Sequence, residues 1–257
     1  MCTRSFTAVL LRSFASLGLW ACLISAHAET VQVGVAANMA APMQALLVGF
    51  QRDSGHNAVV VLGSTGKLYA QIRNGAPLDL LVSADEATPA RLESEKLAVA
   101  GTRQTYGIGR LVLWSAQKDR IDAQGAVLRS GTFDHLALAN PATAPYGAAA
   151  VQVMEHLGLR AQLQPRWVQG ESVAQAYQFV ASGNAELGFV SLSQVWQGGQ
   201  LREGSMWLVP QSLHSPLRQD AVLLQRGQSN AAALALLAYL RSDAARAVLR
   251  SFGYEMP

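Results

Sequence analysis

Cysteine is nearly absent from this chain, and the position of the few thiols removes a class of chemistry. The two cysteines, Cys2 and Cys22, both lie in the first 28 residues. Residues 29–257 contain none. This part of the chain therefore has no disulfide framework, no cysteine nucleophile and no thiolate metal site.

Acidic residues are missing from the first 28 residues, which have the features of an export leader. Two arginines precede an apolar run over about 14–24, and a small-residue cleavage site ends at Ala28. The run is shorter than the roughly 20 apolar residues that cross a membrane. We therefore predict a signal peptide over 1–28 and a periplasmic protein, with lipidation at Cys22 as the alternative.

Charged side chains are few, at 14% of the chain against 50% apolar residues. Two of the 20 Lys and Arg residues lie in the leader, so the exported part carries a formal net charge of +1 instead of +3. A net charge this close to zero gives no basis for predicting a nucleic-acid-binding surface. The apolar content predicts a substantial core, in one large or two small domains.

The stretch GSTGKL (63–68) follows an apolar strand, and its two glycines and its lysine are typical of a phosphate-binding loop. A Walker-type loop needs a glycine five residues before its second glycine, and Ser or Thr directly after the lysine. Val61 and Leu68 occupy those positions. The spacing therefore argues against ATP or GTP.

The residues of serine catalysis are also missing as a set. No G-x-S-x-G elbow surrounds Ser64, Ser191 or Ser193, and no histidine pair of the exported part has zinc-ligand spacing. A secreted hydrolase that uses Ser64 or Ser191 is the alternative from another class, and it requires a histidine and an acid beside that serine. Because the sequence shows no such set, we predict that the protein is not an enzyme.

Strand and helix patterns alternate along the exported part. Strands are predicted over 31–37, 58–62, 78–84, 105–116, 135–141, 164–170, 185–191, 206–211 and 219–225, and a single terminal helix over 229–255. Strand–helix units in series predict an α/β protein with mainly parallel sheets flanked by helices. Crossovers near 105–112 and 206–222 divide it into two lobes, 29–108 with about 215–257, and about 109–214.

Four of the predicted helices begin just after a strand with small or neutral polar residues, at Asn38, 64–66, 143–147 and 171–173. Helix starts present unpaired N–H groups and a partial positive charge, so they bind anions. Ordinary capping explains each of them alone. An anion site requires that all four face one cleft, which periodicity cannot establish.

The same stretches resemble the periplasmic molybdate-binding proteins of ABC transporters, within the type II periplasmic solute-binding proteins. The shared segments are, in order, AANMAAPMQAL, GSTGKLYAQIRNGAPLDLLVSAD, TRQTYGIGRLVLW, LANPATAPYGAAA, GESVAQA, ELGFVSLSQV and VLRSFGYE. The resemblance implies two lobes with a ligand cleft between them that closes on molybdate or tungstate. It also implies an inner-membrane permease as partner, a monomer, no cofactor and no direct bond from protein to metal.

The resemblance further implies which residues hold the oxyanion. Side-chain donors fall at Asn38 and Thr65, with Ser64 adjacent, and backbone donors fall at Ala37, Tyr146 and Val173. Some members place a Tyr hydroxyl where this chain has Ser191, and the shorter side chain makes Ser191 the weakest of these assignments.

Neutral donors suit a dianion that has only acceptor atoms. No Arg or Lys lies in the loops of Asn38, Tyr146 and Val173, and we expect Lys67 to point to solvent. Hydrogen phosphate needs an acceptor as well, and the one candidate carboxylate, Glu171, is expected at the rim. Receptors for sulfate, thiosulfate or a small carboxylate are the alternatives within the fold, although a carboxylate ligand usually requires an arginine.

Overall fold

The computed structural model describes residues 28–257. The predicted leader therefore lies outside the described residues except for Ala28, and so does the alternative lipidation site at Cys22. Across the described range, no helix combines the length and apolar character that a membrane crossing requires.

The strands build two five-stranded sheets and one short hairpin. The strands are β1 Thr30–Ala36, β2 Asn57–Gly63, β3 Leu80–Val82, β4 Gln104–Gly109, β5 Leu111–Ser115, β6 Leu136–Ala139, β7 Trp167–Gly170, β8 Leu187–Ser191, β9 Trp196–Gln197, β10 Gln200–Leu201, β11 Ser205–Leu208 and β12 Leu217–Leu223.

Helices connect the parallel strands and cover the sheets. The α-helices are α1 Ala40–Ser54, α2 Thr65–Arg73, α3 Ala87–Ser94, α4 Val127–Ser130, α5 Pro145–His156, α6 Arg160–Leu163, α7 Val173–Ala181, α8 Leu192–Val195, α9 Ala231–Tyr239 and α10 Asp243–Ser251. Short 3₁₀ turns lie at Ala37–Met39, Gln164–Arg166, Gln211–Leu213 and Gln225–Ser229.

Each sheet combines parallel and antiparallel pairs. The first sheet has the order β2-β1-β3-β12-β4, in which β1 runs parallel to β2 and β3 while β12 runs antiparallel to β3 and β4. The second has the order β11-β5-β8-β6-β7, in which β6 runs parallel to β7 and β8 while β5 runs antiparallel to β8 and β11. Each sheet with the helices packed on it forms one lobe of an α/β fold, as predicted. The sheets are mixed, however, and not mainly parallel, because β12 in the first sheet and β5 and β11 in the second run antiparallel to their neighbours.

Helix α1 shows why the chain folds locally in this way. Its buried side chains Met43, Leu46 and Phe50 are three and four residues apart, so they form one apolar stripe that packs on the first sheet. Gly55 ends the helix in the left-handed conformation, with φ of 72°, which glycine adopts without steric cost. The strand–helix–strand unit is therefore encoded by periodicity and one stop signal.

The chain crosses between the two sheets twice within the described residues. Arg110 alone separates β4 from β5, and residues 209–216 connect β11 to β12. Both crossings lie inside the segments that the sequence predicted as crossovers. The first sheet is consequently built from both ends of the described chain and the second from its middle.

The strand predicted over 105–116 is divided at Arg110 into β4 and β5, which lie in different sheets. Two further predicted elements also differ from the structure. The terminal segment 229–255 is not one helix, because Ser242 begins a second helix by accepting a hydrogen bond from the N–H of Ala245 at 3.1 Å. The strand predicted over 164–170 starts only at Trp167, because Pro165 lies in a 3₁₀ turn that precedes it. In both cases a capping or breaking residue sets a boundary inside a segment that was predicted as one element.

Candidate functional site

A small cavity lies between the two lobes, where the four predicted helix starts meet. It is far smaller than the pockets that hold drug-sized molecules. Residues that line it are Ala36, Ala37, Asn38, Ser64, Thr65, Ala84, Ala144, Pro145, Tyr146 and Val173. All six residues that the resemblance assigned most firmly are among them.

The topology explains why these helix starts converge. β1, β2, β6 and β7 each end at the cleft, and a helix or a 3₁₀ turn begins within at most six residues of the end of each strand. Parallel strands of one sheet share an edge at their carboxyl ends, and the two lobes oppose these edges. The first N–H groups of a helix have no partner within that helix, and Ala37, Tyr146 and Val173 bring such groups to the cavity wall.

The hydroxyl groups of Thr65 and Ser64 already accept hydrogen bonds from the protein. Thr65 Oγ1 accepts from the N–H of Ala84 at 3.1 Å, and Ser64 Oγ accepts from the N–H of Lys67 at 3.4 Å as the cap of α2. A hydroxyl also carries one hydrogen to donate. In both side chains that hydrogen remains for a group inside the cavity.

Asn38 is the polar side chain with the most connections around the cavity, and it is only 1% exposed. Its amide lies 2.8 Å from the amide of Gln219 and 2.7 Å from the hydroxyl of Tyr254. Its backbone carbonyl accepts from Ser193 Oγ at 2.8 Å. One end of this amide has no hydrogen-bond partner within the protein, so it is left for a ligand.

Three buried tyrosines contact Asn38 or its neighbour Gln219, and all three stay neutral. Burial raises the pKa of Tyr106, Tyr146 and Tyr254 above the ordinary value of a phenol. Their hydroxyl groups therefore remain protonated donors across the physiological range, and they bring no negative charge close to an anion.

Charged side chains stay at the rim of the cleft. Lys67 Nζ lies 3.0 Å from Glu171 Oε2, and the two side chains are 54% and 75% exposed. Lys67 thus points to solvent and Glu171 sits at the rim, as predicted. The residues that line the cavity, all from the described range 28–257, include no Lys, Arg, Asp or Glu.

The two lobes also touch directly beside the cavity. The N–H of Gly66 at the start of α2 donates to the carbonyl of Thr143 in the opposite lobe at 2.8 Å. A Cβ at position 66 would lie 3.0 Å from the backbone and side chain of Thr143. Glycine at this position therefore permits the close approach of the lobes.

Ser191, the weakest sequence assignment, does not line the cavity. Its buried hydroxyl lies 2.9 Å from Gln194 Oε1 and 3.1 Å from Ser193 Oγ, so it is used at the start of α8. Neither Ser64 nor Ser191 makes a hydrogen bond to a histidine among the described residues. In the described structure neither serine therefore has the histidine that the hydrolase alternative requires as its base.

Sequence reasoning missed the residues behind the cavity wall, namely Tyr106, Ser193, Gln219 and Tyr254. One signal was present: Gln219 and Asp220 interrupt the apolar strand LRQDAVL, and both are buried. A buried polar pair inside a strand needs partners, and here Gln219 joins the amide of Asn38 to Tyr106 and Tyr146. The tyrosines themselves carried no comparable signal.

A small cavity between two α/β lobes, ringed by helix starts, is the architecture of a receptor for a small solute. The chain belongs to the bacterial extracellular solute-binding proteins, whose family model matches residues 31–255. It is 53% identical to the molybdate-binding protein ModA of Azotobacter vinelandii over 92% of this chain and 93% of that protein. It is 44% identical to ModA of Rhodobacter capsulatus over 90% of each chain.

Structural comparison agrees. The solved structure of the Azotobacter vinelandii periplasmic molybdate-binding protein superposes with a TM-score of 0.86 and 40% identity, covering 88% of this chain and 99% of that chain. The resemblance stated from the sequence is thus confirmed at the level of family and fold.

Proposed function

We propose that this protein is an extracytoplasmic receptor that binds molybdate or tungstate and delivers it to an ABC permease in the inner membrane. The observation that carries the proposal is the single cavity on which four helix starts converge without a charged side chain. The names of the relatives above support the same ligand. On this proposal the protein acts as a monomer in the periplasm, without a cofactor and without enzymatic activity.

We assign the oxyanion contacts to residues that line the cavity. The side chains of Asn38, Ser64 and Thr65 donate from the first lobe, and the backbone N–H of Ala37 adds a donor beside them. The backbone N–H groups of Tyr146 and Val173 donate from the second lobe. Ser191 takes no direct part and supports the wall through Ser193.

The hydrogen bonds from these donors are strong enough in sum to account for tight binding of the oxyanion. Hydrogen bonds to a charged group contribute about 1.5–3 kcal/mol each, and a micromolar dissociation constant corresponds to about 8 kcal/mol. Five or six donors therefore leave a margin for desolvating the dianion and closing the lobes. Hydrogen phosphate would leave its own proton without an acceptor, because the cavity wall contains no carboxylate.

We also propose the limits of the two moving lobes, residues 29–108 with about 215–257, and about 109–214. The support is the membership of the sheets, since β1–β4 and β12 share one sheet and β5–β8 share the other with β11. Closure of these lobes on the oxyanion would present the permease with a distinct surface for the loaded state.

Titration calorimetry tests the ligand. Protein freed of bound anion should bind molybdate and tungstate with dissociation constants at or below about one micromolar. Sulfate, thiosulfate and hydrogen phosphate should bind at least about 100-fold more weakly, because their size or protonation does not match the donor cage. Preference for sulfate or thiosulfate would establish the alternative receptor, and no heat or thermal stabilisation with either metal oxyanion would refute the proposal.

Thr65→Val should weaken molybdate binding by about 1–3 kcal/mol, since it removes a hydroxyl donor at nearly constant volume. It also leaves the N–H of Ala84 without the acceptor it now has. Thr65→Ser restores both functions of the hydroxyl and should bind within a few-fold of the wild type. Equal affinity of the valine variant and the wild type would show that Thr65 does not contact the ligand.

A further inference from the structure

The hydrogen bonds of Tyr106 determine which atoms its neighbours present. Its hydroxyl oxygen lies 2.7 Å from the carbonyl of Ser83 and 2.7 Å from the side-chain amide of Gln219. The Ser83 carbonyl can only accept, so the single hydrogen of Tyr106 is donated there. The atom of Gln219 that faces Tyr106 must then be a donor, which means that it is Nε2.

This orientation of Gln219 fixes its other contacts. Oε1 then lies toward the hydroxyl of Tyr146, at 3.0 Å, and accepts from it. Nε2 has a second hydrogen, which points at the amide atom of Asn38 located 2.8 Å away. A rotation of an amide by 180° exchanges oxygen and nitrogen with almost no change in shape, so the network decides the assignment.

The orientation of the Asn38 amide follows from the same assignment of donors and acceptors. The atom that receives a hydrogen from Gln219 must be Oδ1, and it also accepts from the hydroxyl of Tyr254 at 2.7 Å. The NH₂ group then occupies the position that has no partner within the protein. Every buried polar group of this network is satisfied in this arrangement, except for the NH₂ that is left for the cavity.

From this network we infer that Gln219 is a positioning residue that turns the NH₂ group of Asn38 toward the oxyanion. The inference rests on the proposed function and adds how the site selects a fully deprotonated anion. With the opposite orientation, Asn38 would present an acceptor, which repels an oxygen of the dianion and favours a protonated oxyanion instead.

The positioning is coupled to closure of the lobes. Gln219 lies on β12 of the first sheet, and Tyr146 lies on α5 of the second lobe. The bond between them is therefore formed only when the lobes are together. Gly109 makes room for it, since any side chain there would overlap both the Tyr146 hydroxyl and the Gln219 amide.

Nuclear magnetic resonance of the wild-type protein tests the orientation directly. The side-chain ¹⁵NH₂ signals of Asn38, assigned by their loss in Asn38→Ser, should shift strongly when molybdate binds, because the NH₂ group then donates to the ligand. Signals that stay in place while molybdate binds would overturn the inference and leave the proposed function intact. Absence of binding would instead refute the proposed function itself.

Gln219→Glu provides a second test. A carboxylate only accepts, so Asn38 should turn its NH₂ to residue 219 and its oxygen to the cavity. Affinity for molybdate should fall at least about 100-fold, and the Asn38 NH₂ signals should no longer respond to added molybdate.

Gln152→Glu is the matched control for this substitution. It makes the same change where the side-chain oxygen accepts from the N–H of Ser215 at 2.8 Å, a bond that glutamate keeps. This variant should bind like the wild type. Wild-type affinity in Gln219→Glu would overturn the inference. If Gln219→Glu does not fold, the titration of the Asn38 NH₂ signals in the wild-type protein still tests the orientation of this amide.

Discussion

Replacing Gly66 by valine should leave a folded protein that binds molybdate at least about 100-fold more weakly. A Cβ at this position already lies 3.0 Å from Thr143 in the opposite lobe, and the branched side chain adds two carbons to that contact. The lobes would then stop short of closure, so the donors of Tyr146 and Val173 would not reach the anion. Two lost charge-assisted hydrogen bonds account for a change of about 3 kcal/mol or more.

Calorimetry with molybdate measures this effect, and thermal unfolding without ligand shows whether the fold is intact. Ala70→Val is the control, because Ala70 is an exposed residue of the same helix α2 and takes the same β-branched side chain. It should bind normally. Near-wild-type affinity in Gly66→Val would mean that the closed contact between Gly66 and Thr143 is not needed for binding.

Asn38→Asp should abolish measurable molybdate binding near neutral pH. The carboxylate would stand at the cavity wall with no basic side chain lining that wall in the described structure. Two unit charges about 4 Å apart repel by about 4 kcal/mol at an effective dielectric constant near 20, and a dianion experiences more. That energy corresponds to a loss of about a thousandfold or more. Asn38→Ala removes only a donor and should cost about 1–3 kcal/mol.

The informative measurement is the difference between the molybdate affinities of Asn38→Asp and Asn38→Ala. Asn184→Asp adds the same charge in an exposed turn and should bind molybdate like the wild type. If Asn38→Asp and Asn38→Ala lost the same amount of affinity, the side chain would not face a charged ligand. Thermal unfolding of both variants separates this outcome from a loss of folded protein.

Local patterns were sufficient to predict the alternation of strands and helices. Apolar runs, spacings of three and four in α1 and glycine stops such as Gly55 all act over a few residues, so one sequence reveals them. The same patterns failed at Ser242, where one cap divides the predicted terminal helix into α9 and α10. Periodicity also could not give the antiparallel pairing of β12, because that pairing depends on how the chain returns from the second lobe.

Part of the candidate site could likewise be predicted from local sequence, and part could not. Helix starts at Ser64 and Ser172 were visible as capping residues, but their convergence on one cavity is a property of the assembled lobes. Gln219 was invisible as a partner of Asn38, since 181 positions separate them in the sequence. Long-range contacts between polar side chains leave no periodic trace, and only the interruption of an apolar strand indicated that position 219 has a special role.

The strand order of the first sheet has a consequence for how the protein acquires its structure. β12 stands between β3 and β4, and it pairs residues as distant in sequence as Leu217 and Gly109. A chain that emerges from its amino end, as an exported polypeptide does, thus contains all of the second sheet before β12 arrives. We expect the second lobe to fold first, and β4 to wait without a neighbouring strand until the last part of the chain has entered the compartment.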